Sequence, residues 1–490
     1  MLWTATPRLL VMRLLIVGGG GFRVPLIYRA LVSGPFSGVV TELVLHDVDP
    51  SRLAAVTAIL RSMPGPDAPD RGARVPVLPT TDLPRALKDT HMVFAAIRPG
   101  GTAGRVADER VARDVGVLGQ ETTGAGGISY ALRTIPHMMN LARLMQERCP
   151  EARLVNFTNP AGMVTEALLP VLGRRVVGIC DSAGGLVSRA ARAAGVTLPA
   201  GRLDGVGYYG LNHLGWLYRL ESEGRDRLPA LLSDPRALQS FEEGRLFPQQ
   251  FLASLGALPN EYLYYYYEQD KAREAMHAMA QTRGESIHSQ QQELYPRLAA
   301  AGAEAFGLWE EARRSREEGY LAEARGKDER RDEDDLAGGG YERVALAAMQ
   351  ALAGSGEAQL ILNTRNSAPP SGAAVPPAAQ PPTAAPATPE AAIPGLPPDA
   401  VVELPCTVTA DGALPLPQQA PPAEQLHLLQ QVKEVERLTV RAVTDGDRDA
   451  AVQAFARHPL VASEELGAAL LAGYEQAFPA LGKMWRGGWR

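Results

Sequence analysis

Short apolar runs recur along the first part of the chain, and each predicts a buried strand. Runs with almost no polar interruption are typical of strands that are covered on both faces of a parallel sheet. Amphipathic segments over Val24–Val32 and Ser51–Ser62 lie between these runs and predict helices. Strands that alternate with helices predict an α/β fold with a Rossmann-like, doubly wound parallel sheet. The predicted strands are Leu14–Val17, Glu42–His46, Met92–Ala96, Leu154–Phe157 and Val176–Ile179.

The chain is expected to form two domains. A Rossmann-like domain is predicted over residues 12–200, where the strand and helix signals alternate. A mixed α/β, helix-rich domain is predicted over residues 201–490. The longest helical patterns in this second part surround Gln269–Ala301 and Gln425–Thr444.

Three segments are predicted to be disordered. Residues 1–11 precede an alternative start at Met12 and are expected to form an unstructured extension. Residues 325–337 are almost wholly charged, and residues 367–398 consist largely of proline, alanine and threonine. Such compositions cannot bury enough apolar surface to offset the entropy that is lost on ordering.

Composition and charge exclude several classes of function. The chain of 490 residues is 46% hydrophobic and 21% charged, as expected for a globular protein. Its formal net charge of −6 argues against nucleic acid and against an anionic membrane as the main partner. The sequence contains no apolar run that is long enough to cross a bilayer. Its three cysteines are too few for a disulfide framework, so a cytoplasmic location is expected.

A run of four glycines follows the first predicted strand and precedes the first predicted helix. Small residues at this place let backbone amides approach the pyrophosphate of a dinucleotide, although Arg23 occupies the third glycine position of the usual fingerprint. Asp47 ends the second strand and can accept hydrogen bonds from ribose hydroxyl groups, which favours NAD over its phosphorylated form. The alternative is an ordinary turn with a structural aspartate. The residues expected to contact NAD are Gly18, Gly20, Gly21, Phe22, Asp47 and Arg52.

The segment Arg98-Pro99-Gly100-Gly101 follows the third predicted strand. Doubly wound sheets bind ligands at the carboxyl ends of their strands, and the guanidinium fork of Arg98 suits an oxyanion. Arg105, Asp108 and Glu109 follow on a predicted helix. These three residues fit a functional role or, equally, a solvated and salt-bridged helix face.

Two further segments are expected at the same edge of the sheet. Residues 119–124, which include Glu121, are too polar and rich in glycine for a core element and predict a functional loop. Asn159 precedes a proline, which restricts it to an extended conformation. Its side chain could hold sugar hydroxyl groups, or it could cap the helix that is predicted to begin near Ala161.

Cys180 and His213 form the most specific pair of candidate ligands. Each lies at the end of an apolar run, with Asp181 and Asn212 beside them. Taken alone, each is more often a buried core residue. Together a thiolate and an imidazole suit a divalent transition-metal ion, and two protein ligands leave coordination positions for a substrate. The pair therefore predicts an open metal site.

Five tyrosines occur within Tyr262–Tyr267. Such a stripe is normally part of a core. A phenol that lies near a divalent cation can, however, lose its proton more easily and act as a base. Only one of the five needs this role.

Taken together, these motifs resemble family 4 of the glycoside hydrolases, and specifically its 6-phospho-β-glucosidase branch. The resemblance covers nearly the whole chain, and the tracts GICD and GLNHLGW are its most specific parts. The matching segments are IVGGGGFRVPLI, RPGG, GQETTGAGG, NFTNPAGMVTEAL, GICD, GLNHLGW, the tyrosine cluster, Gly339-Gly340-Tyr341, LNTRN at 362–366 and VELPC at 402–406.

The resemblance implies a catalytic role for two residues. Tyr262 would be the base, because the Tyr-Leu-x-Tyr-Tyr pattern of the family begins there, with Tyr265 and Tyr266 as alternatives. Asp181 resembles an acid that some members carry beside the metal-binding cysteine, whereas many β-specific members carry asparagine at that position. The implied ligands of Mn²⁺, or of a similar divalent ion, are Cys180 and His213. The implied substrate-binding residues are Arg98, Glu121, Asn159 and Arg283, the last for the phosphate.

The resemblance also implies the reaction and the partners. The substrate would be a small phosphorylated disaccharide or another 6-phospho-β-glucoside, such as phosphorylated cellobiose. The implied chemistry is transient oxidation of C3 with NAD, removal of the C2 proton, elimination of the aglycone, addition of water and re-reduction. A homo-oligomer, dimer or tetramer, is expected.

Several alternatives stay open at this point. The nearest are a 6-phospho-α-glucosidase and an α-galactosidase of the same family. An NAD-dependent 2-hydroxy acid dehydrogenase shares the predicted fold, but it would lack the cysteine–histidine pair and would accumulate NADH. A non-catalytic sugar-phosphate sensor would not need both the metal pair and the tyrosine cluster.

Overall fold

The computed structural model describes residues 12–32, 37–65, 74–324, 340–368 and 390–485. Within these ranges, 13 strands form one sheet. The strands are β1 (Arg13–Val17), β2 (Glu42–His46), β3 (Val77–Thr80), β4 (Met92–Ala95), β5 (Arg153–Asn156), β6 (Val176–Gly178), β7 (Val206–Leu211), β8 (Leu214–Ser222), β9 (Arg225–Asp226), β10 (Leu258–Pro259), β11 (Ala358–Arg365), β12 (Val401–Thr409) and β13 (Gly412–Pro415).

The first six strands are parallel and lie in the order β3-β2-β1-β4-β5-β6. This is the strand order of a Rossmann sheet, whose reversal at the first strand opens a ligand-binding crevice. The antiparallel strands β11, β12, β7, β8 and β10 extend the sheet beyond β6. The predicted fold class is confirmed. The second domain was expected to begin at residue 201, but strands from before and after this point belong to the same sheet.

Helices cover both faces of the parallel strands and form a bundle at the end of the chain. The helices are α1 (Val24–Val32), α2 (Pro50–Ser62), α3 (Leu83–Leu87), α4 (Gly101–Asp114), α5 (Gly124–Arg148), α6 (Ala161–Leu172), α7 (Ser182–Ala193), α8 (Leu228–Ser233), α9 (Pro235–Gln239), α10 (Glu242–Leu246), α11 (Gln249–Leu255), α12 (Tyr264–Tyr267), α13 (Gln269–Ala278), α14 (Arg283–Ala300), α15 (Ala305–Glu318), α16 (Tyr341–Leu352), α17 (Ala423–Asp445), α18 (Arg448–Arg457), α19 (Glu464–Ala477) and α20 (Pro479–Met484).

The helical pattern over Gln269–Ala301 corresponds to two helices, α13 and α14. The second begins with a capping box, in which the Thr282 side chain accepts a hydrogen bond from the Glu285 amide and the Glu285 side chain accepts one from the Thr282 amide. A reciprocal cap of this kind starts a new helix within a continuous helical pattern. It places Arg283 at the first position of α14.

The prediction of disorder for residues 1–11 and 325–337 falls outside the described residues, as do residues 369–389. None of the helices in the described part of the chain combines the length and apolar character that a membrane span requires. The cytoplasmic location and the homo-oligomeric state stay predictions.

The predicted disorder is wrong for residues 390–398. Ile393 and Leu396 in this segment are buried. The amide group of Asn366 donates hydrogen bonds of 3.1 Å to the carbonyl oxygens of both residues. Apolar anchors and a buried amide therefore order the segment, although its composition resembles that of a disordered loop.

Candidate active site

A cavity of about 1140 Å³ lies at the carboxyl ends of β1, β4, β5 and β6. Because the carboxyl ends of parallel strands share one edge, residues that are distant in the sequence meet there. All but one of the predicted site residues line this cavity; the exception is Gly20. The lining residues among them are Gly18, Gly21, Phe22, Asp47, Arg52, Arg98, Glu121, Asn159, Cys180, Asp181, His213, Tyr262 and Arg283.

Cys180 and His213 meet at the floor of this site. Cys180 follows β6, and His213 lies in the two-residue turn between β7 and β8, where it adopts a left-handed φ of 64°. The Sγ atom of Cys180 lies 3.4 Å from Nε2 of His213. Both side chains are buried. The tight turn is therefore what brings the imidazole to the thiol.

The donor set of this pair fits a divalent transition metal. Burial lowers the pKa of His213 to about 3, so the imidazole is neutral and can offer a lone pair. Burial, with Asp181 and Glu403 nearby, raises the pKa of the Cys180 thiol, and a bound cation would favour the thiolate. Within the described residues, no group of three or more His, Cys, Asp and Glu side chains forms a closed metal cluster. An ion held by this pair would therefore have open positions.

Tyr262 lies directly against the histidine. Its ring stacks on that of His213, with a centroid distance of 3.8 Å and an interplanar angle of 8°. Tyr265 instead donates a hydrogen bond of 2.6 Å to Glu323, and the hydroxyl group of Tyr266 lies 3.4 Å from Nε2 of His458. Among these tyrosines Tyr262 alone lines the cavity. The geometry therefore favours Tyr262 over the two alternatives.

A buried carboxyl group lies next to this tyrosine in the sequence. Glu261 accepts a hydrogen bond of 2.6 Å from Ser182 and one of 3.3 Å from Tyr320. The hydroxyl oxygen of Tyr320 also lies within hydrogen-bond distance of that of Tyr262, at 3.1 Å. Burial and the nearby Glu243 raise the pKa of Glu261 to about 8. The sequence provided no motif for Glu261 or Tyr320.

The glycine loop is packed against the end of β2. Gly18 has a φ of 93°, and a Cβ atom there would lie 2.4 Å from the carbonyl oxygen of Ala96, so only glycine fits. The amide of Gly20 donates a hydrogen bond of 3.0 Å to Asp47. Arg52 stacks over the ring of Tyr295 at 3.8 Å and donates to its hydroxyl group. Asp47 thus fastens the loop, and Arg52 is held beside the cavity.

The helix face with Arg105, Asp108 and Glu109 is buried, so the alternative of a solvated face is wrong. Arg105 forms ion pairs with Glu109 and with Glu121, each at 2.7 Å. Glu121 is also paired with Arg98 at 2.5 Å. Burial alone would raise the pKa of Glu121, but the positive charges of Arg105 and Arg98 outweigh the effect of burial and lower this pKa to about 2. Glu121 therefore holds two cavity-wall arginines together as a carboxylate.

Two more arginines, Arg283 and Arg316, lie on the same wall of the cavity. Burial, and then Arg23, Arg105 and Arg283, lower the pKa of Arg316 to about 9. Burial and Arg105 also lower the pKa of Arg283. A guanidinium pKa falls in this way where positive charge is poorly compensated. This wall is therefore suited to an anion.

Asn159 does not cap the following helix. The amide of Ala161, the first residue of α6, donates its hydrogen bond of 3.0 Å to Asn212 instead. The Oδ1 atom of Asn159 is buried and has no hydrogen-bond partner, and the residue lines the cavity. A buried acceptor without a partner costs free energy, so this atom is placed to bind a ligand.

The Rossmann sheet, together with a cavity that joins a thiol, an imidazole and a buried phenol, defines an α/β enzyme. Comparison with known sequences identifies its family. Residues 13–196 match the profile described as family 4 glycosyl hydrolase, and residues 208–461 match the profile of the family 4 C-terminal domain. The chain belongs to family 4 of the glycosyl hydrolases and is a glycosidase.

Individual relatives carry names of both anomeric specificities. A probable 6-phospho-β-glucosidase of Bacillus subtilis is 28% identical over 468 residues, covering 94% of this chain and 95% of that protein. A 6-phospho-α-glucosidase of Leptotrichia buccalis is also 28% identical, with coverages of 94% and 96%. The 6-phospho-β-glucosidase of Thermotoga maritima, solved with manganese, NAD⁺ and glucose-6-phosphate, has a TM-score of 0.74 and 25% identity, covering 96% of this chain and 99% of that one.

Proposed function

We propose that this family 4 glycosidase hydrolyses 6-phospho-β-glucosides and that it uses NAD and Mn²⁺. The observation that carries the proposal is the juxtaposition, in one cavity, of the Cys180–His213 pair, the phenol of Tyr262 and a wall of poorly compensated arginines. A hydroxy acid dehydrogenase needs no thiol–imidazole pair. The relatives that align over nearly their whole length are named as 6-phosphoglucosidases, which supports a phosphorylated glucoside as the substrate.

The phosphate is assigned to Arg283 and Arg316. Both line the cavity, and both have a lowered pKa. A phosphate dianion between them would supply the missing negative charge and accept several hydrogen bonds. The ordinary carboxylate partner of this wall, Glu121, is already occupied by Arg98 and Arg105.

Cys180 and His213 would hold Mn²⁺, and Asn159 lines the same cavity. When bound, the ion would supply Lewis acidity toward the sugar oxygens. The neutral imidazole of His213 is preformed for this role because burial disfavours its protonated form. The buried, unpartnered oxygen of Asn159 would accept a hydrogen bond from a sugar hydroxyl group.

NAD would bind along the glycine loop, where Gly18, Gly21 and Phe22 line the cavity and Asp47 fastens Gly20. When bound, NAD would take a hydride from the sugar and return it after hydrolysis. The net reaction would therefore leave no NADH behind, unlike that of a dehydrogenase.

The chain's own reacting group would be the hydroxyl group of Tyr262. Burial, then Glu261 and Cys180, raise the pKa of Tyr262, so a cation beside it would be needed to favour the phenolate. In that form it would remove the proton at C2 of the sugar. Arg98 would help to orient the substrate because one of its buried guanidinium nitrogens, Nη1, has no hydrogen-bond partner.

Asp181 bears on the choice between β- and α-glucosides. Many β-specific members carry asparagine at this position, so an acid here supports the α alternative. Here the guanidinium group of Arg23 lies 3.5 Å from the carboxyl group of Asp181, so this acid is engaged in an ion pair. This contact, together with the GLNHLGW form of the histidine tract, supports the β assignment.

The test is a substrate panel of 6-phospho-β-, 6-phospho-α- and unphosphorylated glucosides, each with and without NAD⁺ and Mn²⁺. We expect turnover of the 6-phospho-β-glucoside only, with both cofactors present and with no net NADH. Turnover of the α-anomer alone would select the α alternative. Stoichiometric NADH without release of sugar would contradict a glycosidase function.

A further inference from the structure

The proposed base is part of a chain of hydrogen bonds that runs along the lining of the cavity. The hydroxyl group of Tyr320 lies 3.1 Å from that of Tyr262. The same Tyr320 hydroxyl group lies 3.3 Å from Oε1 of Glu261, which also accepts from Ser182 at 2.6 Å. Four side chains are thus linked in the order Tyr262, Tyr320, Glu261, Ser182.

These residues come from separate parts of the fold. Glu261 and Tyr262 lie in a one-turn helix that Asn260 caps through the amide of Tyr262, at 3.1 Å. Ser182 begins α7, and Tyr320 follows the end of α15. Their meeting is therefore a product of tertiary packing, and the chain joins the cavity to two surrounding helices.

Stacking on His213 fixes the ring of Tyr262 and therefore the position of its hydroxyl oxygen. It does not fix the rotation of the O–H bond about the C–O bond. A phenolic oxygen can take part in hydrogen bonds as donor and as acceptor. Tyr320 occupies one of these directions. The remaining lone-pair direction of the Tyr262 oxygen is then the one that is available to a substrate.

We propose that Tyr320 is a positioning residue that orients the hydroxyl group of Tyr262 for proton removal, and that Glu261 anchors Tyr320 in turn. The proposal rests on the proposed function, in which Tyr262 is the base. Glu261 suits the anchoring role because Ser182 fixes its Oε1 atom from a second side. Arg283, 5.3 Å from the centroid of the Tyr320 ring, packs against the same tyrosine.

The experiment compares Tyr320→Phe with the wild-type enzyme on p-nitrophenyl 6-phospho-β-glucoside, with NAD⁺ and Mn²⁺ present. Small misplacements of a reacting group cost up to about a hundredfold in rate, so kcat should fall about tenfold to a hundredfold. KM should change less than about threefold, because the substrate contacts stay in place. Exchange of the C2 hydrogen with D₂O should slow by the same factor as kcat.

Two reference variants make this result specific. Tyr262→Phe removes the proposed base itself and should abolish exchange. Tyr267→Phe removes a partly buried phenol hydroxyl group that accepts a hydrogen bond of 3.0 Å from Trp216, and it should leave kcat unchanged. The melting temperature of each variant reports any general loss of packing.

A double-mutant cycle tests the anchor. As a single variant, Glu261→Ala should lower kcat. In the Tyr320→Phe background it should have little further effect, because Glu261 acts through Tyr320. Glu261→Gln keeps an acceptor oxygen for Ser182 and Tyr320 and should restore most of the rate.

The outcomes separate the two proposals. Wild-type kcat in Tyr320→Phe, or a raised KM with unchanged kcat, would overturn the positioning role while Tyr262→Phe stays inactive. Additive losses in the cycle would overturn the anchoring role of Glu261. Activity in Tyr262→Phe would instead refute the assignment of the base on which the inference rests.

Discussion

The ring of Tyr262 lies flat on the imidazole of His213, with their centroids 3.8 Å apart and their planes at 8°. The imidazole is itself 3.4 Å from the thiol of Cys180. The proposed base and the proposed metal ligands therefore form one packed unit, in which a cation held by the ligands would lie next to the phenol. Burial, then Glu261 and Cys180, raise the pKa of Tyr262, and a cation in this position would favour its phenolate form.

Replacing the thiol of Cys180 should abolish the activity that depends on Mn²⁺. We expect Cys180→Ser to lose Mn²⁺-dependent turnover, because a hydroxyl group is a much poorer ligand than a thiolate for a borderline-soft ion. NAD binding, measured by fluorescence titration, should be unchanged. Cys149→Ser, at another buried cysteine that does not line the cavity, is the matched control. Unchanged activity in Cys180→Ser would refute the ligand assignment.

Removing the phenol hydroxyl group should stop proton transfer. General bases contribute about a hundredfold to ten-thousandfold to rate, so kcat of Tyr262→Phe should fall by that factor. Exchange of the C2 hydrogen of the substrate with D₂O, followed by NMR, should cease as well. If exchange persists, the base lies elsewhere, and Tyr265→Phe and Tyr266→Phe become the next variants to measure.

A side chain in the glycine loop should weaken cofactor binding. A Cβ atom at Gly20 would lie 2.6 Å from Cβ of Arg52 and 2.9 Å from Oδ2 of Asp47. Overpacking of this kind costs about 1–3 kcal/mol. We expect Gly20→Ala to raise the Kd of NAD about tenfold or more. Gly307→Ala, where a Cβ atom meets nothing within 4 Å, should leave the Kd as it is.

The arginine wall should distinguish phosphorylated from unphosphorylated substrates. Hydrogen bonds to charged groups contribute about 1.5–3 kcal/mol, so Arg316→Gln should raise KM for the phosphorylated substrate about tenfold to a hundredfold. Binding of glucose-6-phosphate, measured by calorimetry, should weaken in parallel. Arg202→Gln, an exposed arginine paired with Asp204, is the control. Equal effects on phosphorylated and unphosphorylated sugars would contradict the phosphate assignment.

Glu121 should make stability depend on pH in the acid range. The pKa of this carboxyl group falls from its ordinary 4.5 to about 2 in the folded protein. Its contribution is therefore present above pH 4.5 and is lost as the pH falls toward 2. At pH 7 we expect Glu121→Gln to lose about 3 kcal/mol in urea unfolding, because two arginines lose their partner. The difference from wild type should shrink steadily below pH 4.5; a constant difference would contradict the ion-pair explanation.

Much of the parallel sheet could be predicted from local pattern. The strand at Glu42–His46 was predicted with its observed bounds, and the other four predicted strands within one residue at each end, because buried parallel strands leave an uninterrupted apolar signal. The strand β3 was not predicted, since none of its residues is fully buried. The break between α13 and α14 was missed because the helical periodicity continues across the capping box at Thr282. The ordered conformation of residues 390–398 was also missed. The segment is rich in proline, and the two apolar residues that anchor it, Ile393 and Leu396, are too few to predict order from composition.

The sequence by itself determined the α/β alternation, the glycine loop and the positions of Cys180 and His213, because strand ends and tight turns are local properties of the chain. Only the tertiary structure decided which tyrosine of the Tyr262–Tyr267 cluster lines the cavity, and that Asn212 rather than Asn159 accepts the hydrogen bond of the first amide of α6. It also decided that Tyr320 meets Tyr262 across 58 residues. The physical reason is that contacts between side chains distant in sequence depend on how helices pack on the sheet. No local pattern of polar and apolar residues encodes that packing.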